Sequence, residues 1–373
     1  MASLSNNYPW IQSPLITSAP MRGASYAALA VSVSSAGGIG FIGIGYDVEE
    51  ALDSQLTQAA SLIRDNHPDL QSHVSSTGIL PVGIGFINWG VSLDAALPII
   101  AKHVPAAVWL FGEPPAQMHQ IYTSWIQKVH GATNGKTKVW VQLGSVRDAL
   151  QFITPPTPTT KDEDETTKQP IRPDVIVVQG SDAGGHGLVR GASIITLLPE
   201  VYDELSRTGL ANQIPLIAAG GIVDGRSVAA ALCLGASGVT LGTRFLASHE
   251  SSIAAGYKNE VIRASDGGQS TVRSTVYDRV RGVYGWPVEY DGRGVVNESF
   301  VDAEKGVAEE LNRKLYELEM GKGDEGWGLK GRMCTYAGTG VGLVRSIDHA
   351  KDIVVQLRTE AASVLTALHG RLA

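Results

Sequence analysis

Residues 173–187 read PDVIVVQGSDAGGHG. The apolar run Val175 to Val178 predicts a buried strand, which Gln179 and Gly180 end. A glycine-rich turn follows at once, Asp182-Ala183-Gly184-Gly185-His186-Gly187. Glycines at a strand end let backbone N–H groups come close to a ligand. They also leave His186 without bulky neighbours in sequence, so it is expected to face a cleft. Imidazole is the commonest general base near neutral pH, which makes His186 the candidate catalytic residue.

The same strand-then-turn unit recurs on both sides. Apolar runs at 14–21, 39–44, 79–87, 106–111 and 137–143 precede this strand, and runs at 214–219 and 238–241 follow it. Helical stretches separate nearly all of them: 24–36, 47–64, 93–103, 116–130, 146–152, 192–208 and 226–234. Asp47 with Glu50 is expected to form a capping box. Eight strands at this spacing predict a (β/α)8 TIM barrel rather than a doubly wound sheet. Barrel segments are expected at 1–249 and 331–373. Residues 250–330 break the period and predict a smaller, mostly helical subdomain after strand eight, with a helix at about 303–320. Residues 154–172, TPPTPTTKDEDETTKQPIR, read as an exposed insertion whose composition buries no core.

Composition excludes several functions. Net charge is −7 with no basic block, which argues against nucleic-acid binding. Cys233 and Cys334 lie far apart and no metal-ligand spacing occurs, so no metal is expected. The acidic run at 162–165 reads as a solvated loop. The N-terminus has neither a basic region nor an apolar core, and no run reaches membrane-span length. A cytoplasmic enzyme without membrane contact is expected, its oligomeric state left open.

In such barrels the site lies at the C-terminal strand ends. Pro20 and Met21, Asn88, Gln142, Gln179 and His186 stand there, as do Gly220-Gly221 and Gly242-Thr243. Glycine N–H groups after strands seven and eight form the recurrent phosphate site. With the apolar wall Ala19-Pro20-Met21 and the amides of Asn88 and Gln179, they suit a flavin mononucleotide, although a sugar phosphate meets the same chemistry. The role of Asp182 stays open between tuning His186 and simple turn chemistry. The other histidines are given no role.

Five stretches resemble the nitronate monooxygenase family: APM at 19–21, SSAGGIGFIG at 34–43, GSDAGGHG at 180–187, IAAGGIVDGRSVAAALCLGASGVTLGTRF at 217–245 and AGTGVGLV at 337–344. The likeness is collinear over most of the chain and is nearest to fungal members. It implies a TIM barrel holding FMN, with Met21, Asn88, Gln179, Gly184, Gly221, Gly242 and Thr243 around the flavin and His186 as base. It also implies oxidation of alkyl nitronates, and of nitroalkanes, by dioxygen to carbonyl compounds and nitrite through a flavin semiquinone. The alternative is an FMN-dependent, enoyl-ACP reductase-like oxidoreductase using NAD(P)H, which shares part of the motif set.

Overall fold

The computed structural model describes residues 4–154 and 170–372. Most of the expected insertion, 155–169, lies outside them. In chain order the strands are β1 (Leu15–Ser18), β2 (Phe41–Gly45), β3 (Leu80–Ile87), β4 (Pro105–Phe111), β5 (Lys138–Leu143), β6 (Val175–Gln179), β7 (Gly185–Leu188), β8 (Leu216–Ala219), β9 (Gly238–Leu241), β10 (Thr271–Ser274) and β11 (Tyr290–Val295). Eight of them, β1 to β6 with β8 and β9, pair in parallel in the order β1-β9-β8-β6-β5-β4-β3-β2. A parallel bridge between Thr17 and Ile39 brings β1 to the entry of β2, so the sheet is nearly closed. This is the TIM barrel expected from the eight apolar runs.

The barrel interior is aromatic at its centre. Phe41, Trp109 and Trp140 are fully buried and in mutual ring contact. Their indole N–H groups are satisfied, Trp140 by the Tyr8 hydroxyl at 2.7 Å and Trp109 by Gln142 Oε1 at 2.9 Å. Buried indoles need such partners. Tyr8 and Leu4 plug the N-terminal end of the barrel. A second apolar layer, between the strands and the outer helices, runs from Leu29 and Ile42 to Leu357 of the last helix, Ala350–Leu372.

Two local expectations are corrected and one helix is added. Asp47 does not cap a helix: its carboxylate pairs with Arg22, and a π-helical turn, Val48–Leu52, leads into the helix Asp53–Asn66. A further helix, Pro68–Thr77, follows it. The helix expected at 303–320 is two, Glu298–Glu304 and Glu309–Met320, because Gly306 at φ +83° breaks the run.

Residues 250–330 add short helices, as expected, but also β10 and β11. These pair antiparallel in the order β10-β11-β7. The third strand of this sheet is therefore the glycine-rich turn itself. Gly185–Leu188 is too short and too poor in side chains to announce a strand, and its partner β11 begins about a hundred residues later. Among the described residues, no helix is long and apolar enough to cross a membrane.

Candidate active site

A cavity of about 430 Å³ opens at the C-terminal ends of the barrel strands, under residues 250–340. Ala19, Pro20, Met21, Gln179, Gly184, His186, Gly220, Gly221, Gly242 and Thr243 all line it. Asn88 does not. It is buried beside the end of β4, where Oδ1 accepts the Phe111 N–H at 2.9 Å and Nδ2 has no partner. On this wall the cavity is lined instead by Gln142, from β5.

The two glycine pairs present unsatisfied donors. Gly220 and Gly221 follow β8 at φ +101° and +74°, backbone that a side chain resists. Among the described residues, the N–H groups of Gly220, Gly221, Gly242 and Thr243 meet no acceptor. The nearby helix Gly225–Cys233 is different: Asp224 and Ser227 close a capping box on its first turn. The anion-binding potential lies in the glycine loops rather than at that helix end. A Cβ built on Gly242 would rest in ordinary contact with Met21 Sδ at 3.6 Å and Ala19 Cβ at 3.7 Å, two residues that also line the cavity. Thr243 Oγ1 accepts the Gly338 N–H at 2.9 Å. Gly184 is constrained otherwise. A Cβ there would lie 2.4 Å from the Ala337 carbonyl carbon, where two glycine loops cross.

His186 sits on β7 opposite Gly292 of β11. Its Nε2 lies 2.8 Å from Asp278 Oδ2. The Tyr336 hydroxyl donates to the other oxygen, Asp278 Oδ1, at 2.8 Å. Burial first, and then the charge of Asp278, push the Tyr336 phenol well above its ordinary range, so it remains a donor. The imidazole stacks on Trp286, ring centres 3.7 Å apart and planes 7° from parallel. Gln179 lines the cavity, but its Nε2 donates to the His186 carbonyl at 3.1 Å, holding the turn. Asp182 is also resolved: Oδ1 accepts the Thr339 hydroxyl at 3.0 Å, which ties this turn to the late glycine loop.

One cation sits beneath the turn. Arg273 donates through Nη1 to the carbonyls of Gly185, Gly187 and Asp291, and through Nη2 to those of Ser181 and Ala183. Burial, with Arg293 nearby, brings its pKa down to about 10. Asp278, Trp286, Tyr336 and Arg273 were not identified from sequence. No local pattern connects them to His186, and only the pairing of β7 with β11 brings them together.

The family model and the curated relatives agree on one family. A family model described as nitronate monooxygenase matches residues 142–360. A protein of Metarhizium robertsii named nitronate monooxygenase npaC is 42% identical over 99% of this chain and 97% of its own. A nitronate monooxygenase of Neurospora crassa is 35% identical over 97% of this chain and 92% of its own. Among solved structures, FabK from Thermotoga maritima superposes with a TM-score of 0.70, covering 100% of this chain and 99% of its own at 24% identity.

Proposed function

The chain belongs to the nitronate monooxygenase family of oxidoreductases, which is flavin-dependent in general, and we propose that it binds FMN and oxidises alkyl nitronates, and the nitroalkanes they come from, with dioxygen to carbonyl compounds and nitrite. On this reading 1–249 and 331–373 form the cofactor-binding barrel, and 250–330 is the substrate-side subdomain.

The observation that carries the proposal is a base and an anion cradle in one cavity. An ionised carboxylate only accepts hydrogen bonds. Asp278 therefore keeps the proton of neutral His186 on Nε2 and leaves the Nδ1 lone pair basic. Among the described residues nothing bonds to Nδ1. The α-carbon proton of a nitroalkane would pass to Nδ1. The resulting imidazolium is stabilised by Asp278 on one edge and by the Trp286 ring across its face. Phe111 and Trp286 line the cavity and pack against Tyr290 behind them, Phe111 meeting it edge to face.

The residues present fit FMN. The unsatisfied N–H groups of Gly220, Gly221, Gly242 and Thr243 would hold its phosphate. Ala19, Pro20 and Met21 would supply the apolar wall, with Gly184 and the Gln142 carboxamide beside it. When bound, FMN supplies the electron acceptor for the nitronate.

The test is direct. Purified protein should show flavin absorption and should release nitrite from a preformed nitronate under air. Rapid anaerobic bleaching of the flavin by NAD(P)H, with none by a nitronate, would overturn the proposal in favour of a reductase.

A further inference from the structure

Three nitrogen bases line the cavity, the guanidinium groups of Arg22 and Arg281 and the imidazole of His186. Two are committed. Arg22 makes a two-pronged pair with Asp47, at 2.7 and 3.0 Å, and His186 is held by Asp278. Arg281 makes no ion pair within 4.0 Å among the described residues, although it is exposed to the cavity. Its Cζ lies 5.5 Å from the centre of the Tyr336 ring, and that ring lies 5.5 Å from the ring of His186. Tyr336, which the guanidinium contacts, separates this cation from the base.

The charge balance makes this placement significant. Asp278 puts a negative charge on the cavity wall, which disfavours an anionic substrate. A nitronate carries its charge on two oxygens of a planar head. A guanidinium offers two parallel N–H donors in the matching geometry, which an ammonium does not. We infer that Arg281 receives the nitro oxygens of the nitronate, and thereby selects the anion over the neutral nitroalkane. For a neutral nitroalkane the same contact strengthens as charge develops on those oxygens during proton transfer to His186. The inference rests on nitronate oxidation being the reaction.

The experiment compares Arg281→Met and Arg281→Lys with the wild-type holoenzyme on a preformed nitronate and on its parent nitroalkane. In Arg281→Met the KM for the nitronate should rise about tenfold to a hundredfold. The neutral nitroalkane should instead lose kcat, with its KM moving less than about twofold, because its ground state carries no charge. Arg281→Lys should recover part of the nitronate affinity. Arg281→Gln repeats the measurement if the methionine variant does not fold. An unchanged nitronate KM overturns the inference. So do two KM values that rise together, or a lysine variant no better than methionine. If the wild-type protein releases no nitrite from nitronate, nitronate oxidation itself fails, a result distinct from any of these.

Discussion

Asp278 and His186 are 92 residues apart in the chain, and their side chains meet at 2.8 Å. The barrel supplies the imidazole and the added subdomain supplies the carboxylate that sets its tautomer. Asp278→Asn keeps the shape but presents a donor as readily as an acceptor. Turnover of neutral nitroalkanes should fall by roughly two orders of magnitude or more. Preformed nitronates, which need no proton removed, should be less affected. Steady-state nitrite release on both substrates checks this, and equal losses would remove Asp278 from proton transfer.

Two glycines of the site should respond in opposite ways. Gly242→Ala places a methyl group in ordinary contact with Met21 and Ala19 on the cavity wall, with nothing closer than 3.6 Å. Stability should stay within about 0.5 kcal/mol, while flavin retention after gel filtration drops. Gly184→Ala drives a methyl group into the Ala337 backbone. It should cost about 1–3 kcal/mol in chemical denaturation of the apoprotein.

Arg273 satisfies five carbonyls around the histidine turn. Ser181 O also accepts from Arg293 Nε, and Gly185, Gly187 and Asp291 belong to the β7–β11 ladder, so Arg273→Gln removes a shared donor and should lower the unfolding free energy by about 1–2 kcal/mol. Arg273→Lys keeps the charge but not the planar fork, so it should recover only part of the loss. Urea denaturation of the three proteins measures the difference.

Glu250 anchors the last helix. Its Oε2 accepts the Ala350 N–H at 2.9 Å, and its Oε1 meets Ser32 and His349 at 3.2 Å. Burial raises the Glu250 pKa, but the hydrogen bonds from Ala350, His349 and Ser32 outweigh it and hold the group below 4.5. Its stabilisation is therefore complete above the unfolded-chain value of about 4.3 and is lost as pH falls through the lower folded value. Glu250→Gln should lower Tm at pH 7 and match the wild type more closely near pH 3. A gap that widens on acidification would contradict this assignment.

How much of this was legible in the chain depends on whether the signal is local. Most barrel strands are apolar runs closed by a glycine, so Val175–Gln179 or Gly238–Leu241 declares itself. The barrel half of the site follows, because Gly220, Gly242 and His186 stand at those strand ends. The other half is non-local. Asp278 lies in VYDRV, an ordinary helical pentapeptide, and Trp286 in a loop. Nothing within a few residues of either refers to position 186. Asn88 is not among the residues that line the cavity, and its Oδ1 satisfies the Phe111 N–H of a neighbouring strand.

The sharing of β7 between two structural units also bears on how such a protein can be recombined. A graft that exchanged 250–330 for the corresponding part of a relative would keep the imidazole but discard Asp278, Trp286, Arg273 and the strand against which His186 is registered. Altering substrate range by transplanting the mouth of this barrel therefore requires crossover points that leave 185–188 and 271–295 from one parent. A library spliced at the apparent domain border would return folded barrels with a misaligned base.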